Sequence, residues 1–348
     1  MRTIINSLSF SLSFSLSLSL TIFFWSASAI GQSENTDNFY AGKTIDLLIG
    51  HSAGGGYDAY ARTLARHIGK HIPGNPDIVP KNVTGAGSLV LMNQMANTLP
   101  NDGTVFATVN QGMAFEPLLG NEQAQYKAAD IVWLGSLSKG TSLCVSNKDA
   151  DVQTWQDLKS KTLTVGASGA GASTNIYPRV MAELFDFKFN IVTGYPGGND
   201  ILLAMERGEV QGRCSWLLSS ARTQRPGWIE DGGVNLLFQM ALEKHPDLPD
   251  VPLVMDFAET DKQTKVLRLF LARQLVARPY IMPPGVPEER VAIMRKAMAD
   301  TAKDPEFLAD AANQSLSIGF VTGEEAQAIV VETYEYPDDV VDVVKRAM

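Results

Sequence analysis

One arrangement occurs twice in this chain and limits what it can fold into: an apolar strand, a glycine-rich turn, then a helix. The first copy starts with Thr44-Ile45-Asp46-Leu47-Leu48-Ile49-Gly50. The turn Ser52-Ala53-Gly54-Gly55-Gly56-Tyr57-Asp58 follows, and Asp58 to His71 then sets Ala61, Leu64, Ala65 and Ile68 at helical spacing. The second copy runs from Thr162–Gly166 through Ser168-Gly169-Ala170-Gly171-Ala172-Ser173-Thr174 into a helix reaching about Phe185. Further strands are expected at Ile78–Asn82, Thr104–Asn110, Ile191–Gly194, Val210–Ser215 and Asn235–Met240. Helices are expected at Ser88–Leu99, up to Arg207, from Pro287-Glu288-Glu289, and after Thr322. Such alternation gives an α/β fold in which each unit holds a mostly parallel sheet.

The length of 348 residues exceeds one small core and fits two units. No Pro/Ser-rich linker separates them, so the lobes are expected to share crossover strands near Ile131–Val145. The expected division is 30–137 for the first part of lobe 1, 138–258 for lobe 2, and 259–348 for a return to lobe 1 ending in helices. The return crossing is placed only within Pro249–Pro279.

Residues 1–29 stand outside this pattern. Arg2 is the only charge before Glu34, an apolar stretch runs to Trp25, and Ser26-Ala27-Ser28-Ala29 supplies small residues for cleavage after Ala29. The alternating serines weaken the rival reading of a membrane anchor. An exported, periplasmic product is expected, with 348 − 29 = 319 residues. Losing Arg2 takes the formal net charge from −9 to −10. That acidic balance argues against a nucleic-acid partner, which needs a Lys/Arg excess. A monomer is expected.

The glycine turns point to an anion. Consecutive glycines let backbone N–H groups approach a ligand, and a helix N-terminus favours negative charge. Asp58 stands where a cap would stand. Gly85-Ala86-Gly87-Ser88 and Tyr195-Pro196-Gly197-Gly198 are further turns of this kind. Any one of them is equally explained as a plain tight βα turn. Their distribution over both lobes favours a ligand cleft.

These same stretches resemble the periplasmic substrate-binding proteins of tripartite tricarboxylate transporters, often called the Bug family. The resemblance rests on Ala53–Arg62, Lys81–Ser88, Asn101-Asp102-Gly103-Thr104, Val165–Ser173 and Leu248-Pro249-Asp250-Val251-Pro252. It implies a two-lobed periplasmic-binding-protein fold of type II-like architecture, closing on a small organic carboxylate. It implies too that the turns Ser52–Asp58 and Ser168–Thr174 hold one carboxylate, largely through backbone N–H groups and water. Membrane transporter subunits would be the partners. The chain departs from many relatives at Tyr57-Asp58, in the longer segment His71–Pro76, and at Trp216, where Asp is common. Tyr57, Tyr195, Arg213 and Trp216 are therefore positions where the ligand could change, with ordinary packing an equal reading for the aromatic residues.

Other signals carry less. His67 and His71 have a metal-compatible spacing, with His51 near in sequence, but no acidic partner accompanies the pair, and a solvated helix face is the expected reading. No Walker-type motif occurs, the dinucleotide pattern is incomplete, and no cofactor is expected. Ser168 lacks the Gly-x-Ser-x-Gly elbow of a hydrolase. Cys144 and Cys214 are read as separate buried thiols, with a disulfide left open.

The reading is thus a non-enzymatic binding protein for a di- or tricarboxylate or an aromatic acid. Its expected ligand contacts are Ser52, Ala53, Gly54, Gly55, Gly56, Tyr57, Asp58, Gly87, Asn110 and Gln111 from lobe 1. From lobe 2 they are Ser168, Gly169, Ala170, Gly171, Ala172, Ser173, Thr174, Tyr195, Asp200 and Trp216. The alternatives are an exported hydrolase using Ser168 and a protein that presents its ligand to a membrane sensor.

Overall fold

The computed structural model describes residues 39–346; the expected targeting segment lies outside them. Lobe 1 opens with β1 (Thr44–Ile49), α1 (Gly56–Ile68), β2 (Asp77–Asn82), α2 (Leu89–Asn97), β3 (Val105–Thr108) and β4 (Val132–Ser136). Lobe 2 follows with β5 (Ser142–Asn147), β6 (Leu163–Ala167), α3 (Ser173–Phe185), β7 (Phe189–Thr193), α4 (Gly198–Glu206), β8 (Gly212–Leu217), α5 (Leu218–Gln224), β9 (Val234–Met240) and α6 (Asp261–Leu271). The chain then returns to lobe 1 with β10 (Pro279–Met282), α7 (Glu288–Thr301), α8 (Pro305–Asn313), β11 (Val321–Thr322) and α9 (Gly323–Thr333). It ends in α10 (Asp338–Arg346).

The first sheet has the order β11-β4-β10-β3-β1-β2 and the second β7-β6-β8-β5-β9. Both are mixed rather than mostly parallel. β1 pairs in parallel with β2 and β3, whereas β10 runs antiparallel to β3 and β4. Likewise β6 is parallel to β7 and β8, whereas β5 is antiparallel to β8 and β9. The reason is directional. The βα strands end at the cleft, where their glycine turns lie, while β5 and β10 enter their sheets from the crossings.

The crossings lie side by side. Leu137 N–H donates to the Arg278 carbonyl at 3.1 Å, Ala277 N–H to Ser138 at 3.0 Å, and Gly140 N–H to Gln274 at 2.8 Å. The return therefore falls at 274–278. Helix α6, expected in lobe 1, packs with lobe 2: Gln263 Nε2 donates to the Leu184 carbonyl at 3.0 Å, and Phe270 lies 4.4 Å from Tyr177 between ring centroids. The last helix joins it there. Its buried Val340, Val341, Val343 and Val344 face α6 and α3, and Arg346 pairs with Glu183 at 3.2 Å. Apolar periodicity shows that these helices are amphipathic, not which lobe receives the apolar face.

One apolar cluster runs through both lobes, from Leu48 and Met113 to Val165, Tyr177 and Phe270. A second lies on the α1, α7 and α8 side of lobe 1, and a third on lobe 2 around Leu143, Leu202 and Trp216. Among the described residues no helix is long and apolar enough to cross a membrane.

Cys144 and Cys214 form a disulfide, in place of the separate thiols favoured from sequence. Long-range pairing of β5 with β8 brings their Cα atoms to 3.9 Å across a sequence separation of 70. The bridge sits where the ladder shifts register, between Leu143 and Val145. Replacing both cysteines by alanine should lower unfolding free energy by about 2–4 kcal/mol, the usual effect of opening a long loop. Urea denaturation reads this directly, and an unchanged midpoint would contradict it.

Candidate functional site

A small cavity of about 50 Å³ lies where the two lobes meet. Lobe 1 contributes His51, Gly55, Gly56 and Tyr57 from the first glycine turn, and Asn110 and Gln111 from the end of β3. Lobe 2 contributes Ser168, Ser173 and Thr174 from the second glycine turn. It also supplies Gly198, Arg213, Ser215, Trp216, Leu217, Ser220 and Gln224 from α4, β8 and α5. Arg278 comes from the return crossing. No Asp or Glu is among these residues.

Two guanidinium groups dominate the electrostatics. Arg213 is 4% exposed and Arg278 is 1% exposed. Arg213 donates through Nη1 to the Gly198 carbonyl at 2.8 Å and lies 5.4 Å from the Trp216 ring. Arg278 donates to Ser220 Oγ and to its neighbour's Ala277 carbonyl, and stacks on Tyr57 at 4.4 Å and Tyr60 at 4.9 Å. The Nε of each is buried without an acceptor. Neither forms a salt bridge with a carboxylate among the described residues. Burial, and then repulsion from Arg278, pushes Arg213 down to about 9, so it stays charged at neutral pH. His51 is held down to about 3 by burial and by the same two arginines. It is therefore neutral, and it stacks on Tyr57 at 4.1 Å. The cavity offers donors and positive charge.

The local backbone holds this geometry. Helix α1 begins at the cavity with Gly55 as its N-cap, so its first N–H groups lack helical acceptors there. Asp58 organises the turn behind it, accepting from Gly54 N–H at 2.9 Å, Arg62 Nε at 2.9 Å and Asn82 Nδ2 at 2.8 Å. Ser215 adopts φ +60, an uncommon backbone for a residue with a side chain, next to the disulfide. That kink lets Arg213, Ser215 and Trp216 all line the cavity from one strand.

Not every expected residue reaches the cavity. Ala53 and Gly54 are exposed. Ser52 and Asp200 meet each other instead, Ser52 Oγ donating to Asp200 Oδ2 at 2.7 Å across the seam. Tyr195 lies in a separate groove with Gly87, Gly169 and Ala170. Ser173 spans the lobes by donating to Asn110 Oδ1 at 2.9 Å. Trp216 is fully buried and donates to Gln224 at 2.9 Å.

Several glycines serve the approach of the lobes. A Cβ on Gly87 would lie 2.6 Å from that of Ala172, and one on Gly169 would lie 2.6 Å from the Ala86 carbonyl carbon. A Cβ on Gly171 would strike the Glu116 carboxylate, and one on Gly197 would strike Ser52.

Arg278, Ser220 and Gln224 were not legible as site residues. Arg278 lies in a crossing segment with no motif, and α5 has no glycine turn before it. His51 was read only as a remote metal candidate. His67 and His71 do have acidic partners, supplied by α8: His67 meets Asp310 and His71 meets Asp304, each at 2.9 Å. Lys70 pairs with Asp304 at 2.6 Å and Glu306 at 2.5 Å, so these contacts tie α1 and the turn after it to α8. Ser168 Oγ lies 3.3 Å from Thr174 Oγ1 rather than on an imidazole.

Residues 60–337 match the family described as the tripartite tricarboxylate transporter family receptor. The chain belongs to that family. A UPF0065 protein of Bordetella pertussis is 23% identical over 77% of this chain and 78% of its own. Another, from the ttuE–ttuC' intergenic region of Agrobacterium vitis, is 22% identical over 67% of this chain. That match spans only 65% of the relative's length. Among solved structures, the periplasmic binding protein BugD superposes with TM-score 0.70 at 19% identity, covering 88% of this chain and 98% of BugD. MatC from Rhodopseudomonas palustris, with bound malate, superposes with TM-score 0.69 at 19% identity, covering 87% and 99%. At these identities the structural likeness establishes the two-lobed fold.

Within this receptor family member, Glu116 is a buried acid that lies against Gly171 of the opposite lobe. It is 0% exposed and accepts from Asn121 Nδ2 at 2.6 Å, while its Oε1 has no donor. Burial lifts it to about 7, with Asn121 and then Arg273 acting the other way. A raised folded value means that this group's contribution is fully present below about 4.5 and is lost as pH rises through about 7. Glu116→Gln should therefore remove a stability loss that wild type shows between those pH values. Denaturation midpoints of the two proteins across that range check it; parallel profiles would contradict it.

Proposed function

We propose that this chain is an exported solute-binding protein that closes two lobes on a small organic carboxylate and hands it to membrane transporter subunits. The observation that carries the reading is the cavity at the lobe seam, with buried Arg213 and Arg278 and no acidic residue in its wall. A buried charge needs a counter-charge, and here an anionic ligand is the group that supplies it. Family membership supports the transport role, and relatives of the same fold hold malate and adipate. Export would proceed through residues 1–29, with cleavage after Ala29. The protein would act as a monomer without a cofactor. The Ser168–Thr174 hydroxyl contact gives no base to a hydrolytic serine.

Closure is the working step. The ligand contacts groups of both lobes only when they are together, so binding shifts the population toward the closed form. A thermal-shift screen of small carboxylates should give saturable stabilisation, about 2.7 kcal/mol at a hundredfold excess over Kd. No response from folded protein to any mono-, di- or tricarboxylate or aromatic acid would overturn the reading. Gly169→Ala should leave the protein folded but weaken that response at least tenfold (roughly 1.4 kcal/mol), because its methyl group would meet the Ala86–Gly87 backbone of the opposite lobe and hold the lobes apart. An unweakened response would show that the closed seam is not needed for binding.

A further inference from the structure

Resting on the carboxylate-binding reading, we propose that this site selects by charge: it takes a compact dianion without an ammonium group, held between Arg213 of lobe 2 and Arg278 of the return crossing. Three observations carry this. First, there are two buried guanidiniums and no acid in the wall, so a monoanion leaves one positive charge uncompensated. Removing the counter-charge of a buried ion is costly, whereas each arginine can offer paired N–H donors to an oxyanion. Each also keeps a buried Nε with no acceptor among the described residues.

Second, nothing in the wall accepts from an ammonium group with full charge. Asn110 Oδ1 already receives Gly112 N–H at 2.8 Å and Ser173 Oγ at 2.9 Å, and Gln224 Oε1 receives Trp216. Gln111 Oε1 and His51 Nε2 are buried without a partner, but both groups are neutral and supply no counter-charge. The neighbouring imidazole of His51 faces the same two arginines, so a cationic ligand group would add to their repulsion. Third, the cavity is small. Its volume of about 50 Å³ corresponds to roughly four waters, so long-chain and aromatic acids would hold the lobes further apart. A short dicarboxylate and an alkylphosphonate share the required chemistry: two negative charges within a few bonds.

Calorimetry with isosteric pairs separates charge from shape. Malonate is compared with malonamate, and methylphosphonate with methanesulfonate, at pH 8, where malonate is doubly charged and methylphosphonate mostly so. Succinate is compared with aspartate for the ammonium effect. The expected result is at least tenfold tighter binding of the dianion within a pair, and at least tenfold weaker binding of aspartate than of succinate. Which pair responds identifies the carboxylate or the phosphonate source. Arg213→Gln and Arg278→Gln should each reduce the dianion preference severalfold, and Arg213→Lys should retain part of it. Malonamate or methanesulfonate binding as tightly as its dianionic partner to folded wild type overturns the inference, yet leaves the carboxylate-binding reading standing. Aspartate binding as tightly as succinate overturns the exclusion of ammonium. Failure of every acid to bind overturns both. The wild-type comparisons need no variant, so a variant that does not fold leaves the test intact.

Discussion

Two guanidinium groups are buried where the lobes meet, and no carboxylate among the described residues answers them. Burying a charge costs several kcal/mol unless it is paired. The chain meets part of that cost itself. Arg278 stacks on Tyr57 and Tyr60, Arg213 lies near Trp216, and carbonyls of Gly198 and Ala277 accept one bond each. Cation–π contacts of this kind contribute about 2 kcal/mol when desolvated. The buried Nε of each arginine has no acceptor among the described residues, and in the proposed function an anion enclosed by both lobes supplies it. On that proposal, charge and closure are one coupled event rather than two features of the site.

The glycines acquire a second meaning from this. Read in the sequence, each glycine turn is a cradle whose N–H groups face an anion. In the structure Gly55 and Gly56 do line the cavity at the start of α1. Gly87, Gly169, Gly171 and Gly197 are instead points where a Cβ would strike the opposite lobe. The same residue type serves two needs, and sequence spacing cannot separate them, because both place glycine directly after a strand. The distinction depends on what stands opposite in space.

Most βα units were legible because strand, turn and helix are local patterns. β1 at Thr44–Ile49, α1 at Gly56–Ile68 and β6 at Leu163–Ala167 fall close to the stretches that apolar periodicity indicates. What escaped was non-local. The lobe that receives α6 and α10, the Cys144–Cys214 bridge and the arrival of Arg278 at the cleft all depend on pairings between distant segments. Arg213 is named from sequence only as a position where the ligand could change, not as an expected contact, and its partner arginine lies 65 positions on, in a crossing segment without a motif (278 − 213 = 65). The overall acidity of the chain gave no hint of this site, since two buried charges weigh little in a formal balance of −9.

The most direct test of this picture is a crystal structure of the protein with the carboxylate or phosphonate that stabilises it most. The anionic oxygens should lie within hydrogen-bonding distance of both Arg213 and Arg278, with the Ser52–Asp200 and Ser173–Asn110 contacts closed around them. A ligand bound through the glycine turns alone, with either guanidinium turned away or paired to a carboxylate of the protein, would contradict it.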